Sequence, residues 1–202
     1  MPELPEVETT KRGIEPYLHN QSITKILVRQ KSLRIPFNDN LKKHITQVKI
    51  KNIKRRAKYI VIEFVNEYSM VIHLGMTGNL RASQQKKFLK HDHIIFYLES
   101  GNSLIFNDVR RFGLIQIYKT KDSFYLLDNN GPDPFEKKAD VDYFYNRIKN
   151  SSASIKSILL NHKIISGIGN IYASEILFST NISPLRTVSY THLTLPTNWV
   201  GG

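Results

Sequence analysis

The sequence predicts an α+β protein: an N-terminal helix plus a two-sheet β-sandwich, followed by a smaller all-α region. Three observations predict it. An acid-rich, apolar-periodic segment opens the chain. Seven short runs of β-branched and aromatic residues fill residues 22–119. After Gly131-Pro132-Asp133-Pro134 the apolar period turns helical.

The helix is expected over 5–19. Pro5 suits a first-turn position, Glu6 and Glu8 complement the positive helix end, and Val7, Ile14 and Leu18 share one face. The strands are expected at 23–28, 48–53, 59–64, 70–72, 94–98, 103–106 and 114–118, separated by Asn, Gly and Lys clusters. Short strands at such spacing fit a sandwich. Helices are expected at 140–149, 153–161 and about 170–179, with a domain boundary in the Gly-Pro-Asp-Pro region. The domains drawn from sequence are 1–133, 134–186 and a separate tail, 187–202. That tail, from Thr187 to Gly202, holds none of the chain's 29 Lys and Arg or 17 Asp and Glu, yet carries its one Trp. It reads as foreign to the rest, a cloning or assembly artefact, and is assigned no function; a Thr-rich polar linker is the plainer alternative.

A formal net charge of +12 favours a polyanionic partner, because each phosphate neutralised by Lys or Arg releases condensed cations. A solubility charge remains the ordinary alternative. There are no cysteines, which excludes disulfides and thiolate metal sites. The acidic start lacks the basic and apolar regions of a signal peptide, and no stretch approaches the roughly 20 apolar residues of a membrane span. A cytoplasmic location is expected.

Several residues could carry chemistry. Loss of Met1 leaves Pro2 with a secondary amine, a nucleophile toward a sugar C1′ whose iminium product favours elimination. Glu3 and Glu6 follow, able to move protons or hold the amine; equally, Pro-Glu-Leu-Pro-Glu is an ordinary helix start. Arg55-Arg56-Ala57-Lys58-Tyr59 is a basic cluster on a sheet edge, which also blocks strand addition. In His73-Leu74-Gly75-Met76-Thr77-Gly78 two glycines flank a Met, predicting a tight turn with Met either exposed or folded inward. Arg110-Arg111-Phe112 is a basic-aromatic wedge suited to the gap left when a base leaves the stack. His91 and His93, two apart with no third ligand nearby, do not make a metal site. Lys156 precedes Gly167-Ile168-Gly169-Asn170, a glycine turn opening a helix whose N–H groups can bind phosphate; a plain helical hairpin is the alternative.

Taken together, Pro2-Glu3-Leu4-Pro5-Glu6-Val7-Glu8-Thr9, the Lys58 cluster, the Met76 turn, Lys90-His91-Asp92-His93, Asn107-Asp108-Val109-Arg110-Arg111-Phe112-Gly113 and the Gly-Ile-Gly-Asn turn resemble the formamidopyrimidine-DNA glycosylase family, in family order over about residues 1–186. The resemblance implies a DNA glycosylase and AP lyase for oxidised purines, 8-oxoguanine and formamidopyrimidines, acting in base-excision repair by a Schiff base and β,δ-elimination. It implies Pro2 as nucleophile, Glu3 as the acid assisting sugar opening, Glu6 as organiser and Lys58 in the catalytic pocket. It implies His91, Arg110, Arg111, Lys156 and Asn170 as DNA-binding residues. Met76, Arg110 and Phe112 look like the void-filling triad, and the all-α region like part of a helix–two-turn–helix domain. The implied partner is damaged double-stranded DNA, bound by a monomer.

Two departures from the family pattern stand out, the first of little consequence because only loop stiffness changes. Val109 stands where the family usually has Pro. Family members continue into a zinc finger with four Cys, whereas this chain has none, so no zinc or other cofactor is expected in it. The rival readings are an endonuclease VIII-like glycosylase for oxidised pyrimidines, against which Leu4 and the Arg110–Phe112 triad argue, a non-catalytic DNA-binding fragment, and a basic RNA-binding protein.

Overall fold

The computed structural model describes residues 2–84, 87–122 and 124–188. The chain divides into two compact units between Asp128 and Asn129.

The first unit opens with α1, Leu4–Leu18. Its start is fixed by a capping box: the Glu3 side chain accepts from the Glu6 N–H, and Glu6 Oε2 accepts from the Glu3 N–H at 2.9 Å. Leu4, Val7, Ile14 and Leu18 form the buried stripe. Pro16 lies in the last turn, and the helix stops two residues later.

Eight strands follow: β1 Ile23–Val28, β2 Ile50–Arg56, β3 Tyr59–Phe64, β4 Tyr68–His73, β5 Gly78–Ser83, β6 Asp92–Leu98, β7 Ser103–Asp108 and β8 Leu114–Lys119. They form two four-stranded antiparallel sheets, ordered β1-β6-β7-β5 and β2-β3-β4-β8. Strand alternation explains the apolar runs. Ile60, Ile62 and Phe64 of β3 join Met70, Ile72, Phe96 and Phe106 in the core that also receives Val7, Ile14 and Leu18 of α1. Val61 and Val71 face the other way, against Leu114 and Phe124, where the short α2, Tyr125–Asp128, follows the second sheet.

The expected sandwich is therefore present, with one strand more than the sequence indicates. β5 begins on a glycine of the Gly-Met-Thr-Gly turn and carries Asn79 and Arg81, so it lacks the β-branched signature of its neighbours. α2 and a 3₁₀ turn over Asp39–His44 are likewise additions to the expected elements.

The second unit contains α3 Val141–Ile148, α4 Ile155–Leu160 and α5 Asn170–Ser179. Asp140 caps α3 by accepting from Tyr143 N–H, and Ser154 caps α4 by accepting from Ser157 N–H. Ile148, Ile155, Ile158, Leu159, Ile164, Ala173, Leu177 and Val188 make its core.

Two sequence-drawn limits shift. Gly131 N–H donates to His162 O, and Ser166 N–H donates to Pro132 O, so the Gly-Pro break is bonded inside the second unit rather than preceding it. Thr187 pairs with Ser154, Val188 N–H donates to Ala153 O, and Val188 is buried, so these two residues belong to the second unit and not to a separate tail. Residues 189–202, the rest of that tail, lie outside the described residues. Among the described residues no helix is long and apolar enough to cross a membrane.

Candidate catalytic and nucleic-acid-binding sites

In the first unit the capping box sets the geometry of the chain start. Pro2 is half-buried directly ahead of α1, and Glu3 is 2% exposed. Lys58 lies in the tight turn between β2 and β3, where Ala57 adopts φ +53°. Burial pushes the Lys58 ammonium below its ordinary value, and the nearby carboxylates of Glu3 and Glu6 offset this only in part. A partly desolvated amine thus lies in the field of the two acids beside Pro2. The turn is tied to the helix: Arg55 Nε donates to Glu8 Oε2 at 3.0 Å, and Arg55 also donates to Ala57 O.

His73 ends β4 opposite Tyr59, with ring centroids 4.8 Å apart. Its Nδ1 accepts from Gly75 N–H at 3.0 Å, so Nδ1 carries no proton. Burial, with help from Arg34 and Lys58, lowers its pKa to about 4. Sequence reasoning misses this residue, because the motif around it draws the eye to its Met and glycines. The available signal is a His at the end of an apolar strand run, next to a glycine turn.

The Met76 turn projects outward: Met76 is 40% exposed rather than folded into the core. Gly75 permits the turn, with φ +67° and so close to the neighbouring loop that a Cβ would sit 2.4 Å from Gly113 N. In that neighbouring loop the Arg110 guanidinium lies 4.7 Å from the centre of the Phe112 ring, and Phe112 is exposed. Arg111 is exposed with φ +58°. Arg110 N–H donates to Thr77 Oγ1, so the structure brings the Met76 and Arg110–Phe112 loops together. His91 is half-buried just ahead of β6, and its ring meets that of buried His93 edge-on at 6.1 Å.

Asp92, between those histidines, is buried and held by Arg81 through two bonds of 3.0 and 2.8 Å, by Asn107, and by Leu89 N–H. Among the described residues no three His, Asp or Glu side chains are grouped to hold a metal.

In the second unit, α4 and α5 are joined by two turns over 161–169. Lys156 Nζ donates to Ser174 Oγ at 3.2 Å, and Ser174 Oγ donates to Asn170 O at 2.9 Å. Lys156 is thereby held against the first half of α5, which opens on the exposed Asn170 after the N-cap Gly169. Gly169 has no side chain of its own with which to cap α5.

A helix-capped antiparallel sandwich followed by two helices joined by two turns defines a helix–two-turn–helix class of two-domain protein. Residues 1–115 match the family model of the formamidopyrimidine-DNA glycosylase N-terminal domain, and residues 130–194 that of the formamidopyrimidine-DNA glycosylase H2TH domain. The chain belongs to the formamidopyrimidine-DNA glycosylase family. It is 42% identical over 188 residues to the formamidopyrimidine-DNA glycosylase of Pasteurella multocida, covering 93% of this chain and 69% of that protein. Among solved structures it is similar to the Lactococcus lactis Fpg in complex with DNA containing N7-benzyl-Fapy-dG. That match has a TM-score of 0.85 and 32% identity, and covers 93% of this chain and 70% of the other. The same Lactococcus lactis protein in complex with DNA containing an oxidised pyrimidine matches with a TM-score of 0.86 and 32% identity, over 94% of this chain and 72% of the other.

Proposed function

We propose that this chain is a base-excision DNA glycosylase with AP lyase activity, acting on 8-oxoguanine and formamidopyrimidine lesions in double-stranded DNA. The observation that carries the reading is the buried Glu3, boxed to Glu6 directly after Pro2, with the partly desolvated Lys58 in the field of both acids.

The chemistry follows from those groups. With Met1 removed, the Pro2 nitrogen bonds to C1′ of the flipped nucleotide as the bond from C1′ to the base breaks. The new ammonium loses its proton, Glu3 supplies one to O4′, and the sugar opens to leave an iminium between Pro2 and C1′. The iminium acidifies C2′. Loss of that proton expels the 3′ phosphate, and a second elimination expels the 5′ phosphate. Glu6 holds the Glu3 backbone in place, and Lys58 contacts phosphate or lesion. Met76, Arg110 and Phe112 fill the space left by the base. His91, Arg111, Lys156 and Asn170 bind the DNA backbone as a monomer docks. The chain has no cysteine, so the four-thiolate zinc finger of the family cannot be built from its residues, and no step runs through a metal.

Borohydride trapping tests the reading. The chain, with Met1 shown to be absent, is mixed with a duplex carrying 8-oxoguanine opposite cytosine, reduced, and weighed intact. A covalent adduct on Pro2, lost in Pro2→Gly, is expected. No adduct, with a longer family member trapping normally, would reduce the chain to DNA binding without turnover. A parallel oxidised-pyrimidine duplex decides between purine lesions and the endonuclease VIII-like alternative, which a Lactococcus lactis relative solved with such DNA makes worth testing.

A further inference from the structure

The Met76 loop and the Arg110–Phe112 loop leave different strands, yet two side chains stitch them together. Asp108, the last residue of β7, is fully buried. Its Oδ1 accepts from the Thr77 hydroxyl at 2.6 Å, and its Oδ2 accepts from Gly113 N–H at 2.8 Å. Thr77 Oγ1 accepts in turn from Arg110 N–H at 3.0 Å. The backbone of Asp108 reaches a third segment. Its N–H donates to His91 O, and its carbonyl lies 2.6 Å from His93 Nε2, which must be the donor because a carbonyl only accepts.

The arrangement asks for particular chemistry at each position. The side chain at 77 must donate to a carboxylate and accept from a backbone N–H at once, which a hydroxyl does and an aliphatic group does not. The residue at 108 must accept on both oxygens, which an ionised carboxylate does and an amide does not. A buried carboxylate with both oxygens bonded is costly to disturb. Its bonds go to loop backbone and a loop hydroxyl, not to the sandwich core.

We propose that Thr77 and Asp108 are positioning residues that lock the two loops into one wedge, so that Met76, Arg110 and Phe112 enter the duplex as a unit. The proposal rests on the glycosylase reading above. A wedge ordered before binding avoids the cost of ordering two separate loops at the moment of base extrusion.

The test compares the full chain with Thr77→Val and Thr77→Ser in three assays. These are single-turnover release of 8-oxoguanine from duplex DNA, borohydride trapping on a preformed abasic site, and amide hydrogen exchange of the free protein. T77V should slow base release by about tenfold or more, since small misplacements of positioning groups carry such penalties. Trapping on the abasic site, where no damaged base has to be extruded, should change by less than about threefold, and T77S should return base release to within about threefold of the wild type. In T77V the Arg110 and Gly113 amides should exchange faster while those of β3 hold.

Wild-type base release in T77V, or equal loss of release and trapping, would overturn the proposal. So would unchanged exchange at Arg110 and Gly113. If the unaltered chain neither releases base nor traps, the glycosylase reading has failed. Amide exchange then decides the clamp alone. Should T77V not fold, Thr77→Ala carries the same comparison.

Discussion

Arg55 of β2 donates through Nε to Glu8 of α1 at 3.0 Å, joining two elements 47 positions apart. One end of this bond lies in the helix that Pro2 and Glu3 begin, and the other lies three residues from Lys58. The pair therefore fixes how the lysine turn sits against the chain start. Burial raises the Glu8 pKa, but hydrogen bonds from Arg12 and Arg55 outweigh it, and the net shift is downward. Arg55→Ala should cost about 1–3 kcal/mol by leaving Glu8 and Ala57 O short of a partner. Chemical denaturation measures this, and borohydride trapping should fall in parallel.

Gly75→Ala should destabilise the Met76 turn. The position has φ +67°, and a Cβ would press on Gly113 N and Phe112 C. A cost of about 1–3 kcal/mol is expected from the strained backbone alone. The melting temperature should drop, and base release should fall further than trapping on an abasic site.

Arg81→Ala should be among the most damaging single changes in the first unit. Burial raises the Asp92 pKa, but hydrogen bonds from Arg81, Asn107 and Leu89 N–H more than reverse it, so the folded value lies below the ordinary one. Removing the arginine leaves a buried carboxylate short of its charge partner, a loss of about 3–5 kcal/mol. Because the folded pKa is depressed, this stabilisation is complete above the unfolded carboxylate pKa of about 4 and fades as pH falls through the folded value. R81A should therefore lose part of the wild type's acid-dependent stability change in denaturation series run below pH 5.

His73 should make the protein weaken as pH falls from about 6.5 to 4. Its folded pKa of about 4 lies below the unfolded value of 6.5, so the unfolded chain takes up the proton first. The stability lost over that window is up to about 3 kcal/mol, and below pH 4 the slope from this residue ends. The difference between wild type and His73→Asn, measured by urea denaturation across pH 4 to 7, isolates the effect. An imidazole still neutral at pH 5 by NMR would agree.

Lys156→Ala and Arg111→Ala should each weaken duplex binding by a similar factor for damaged and undamaged DNA. Each should also reduce the slope of log affinity against log salt by about 1. A lesion-selective loss would instead give these residues a role in reading the base.

The sandwich is legible in sequence because its strands are dense in β-branched and aromatic residues, as in Tyr59–Phe64, and α1 because Val7, Ile14 and Leu18 fall on one face. β5 is not, since Gly78, Asn79 and Arg81 read as turn chemistry and the strand forms through its pairing with β7. The candidate site is legible where chemistry is local: Pro2, Glu3 and Glu6 share one helix start. The contribution of His73, Thr77, Asp108, Arg81 and Asp92 is hidden because it lies in bonds across the fold, such as Thr77 to Asp108 over 31 positions. Periodicity carries no record of such pairings. The limit drawn at residue 186 fails for a related reason: an uncharged stretch can still supply a core side chain, as Val188 does.

That last contact gives the Lys156 end of the second unit a dependence on distant chain. Ile155 N–H donates to Arg186 O, and Ala153 O accepts from Val188 N–H, so the residues flanking the start of α4 are moored by Arg186 and Val188. Lys156 stands one residue inside that mooring. Trimming the chain at 185 would keep every residue proposed to meet DNA yet cut the rope that berths one of them. A shortened protein would then carry the capped start of α1 intact beside an unmoored α4.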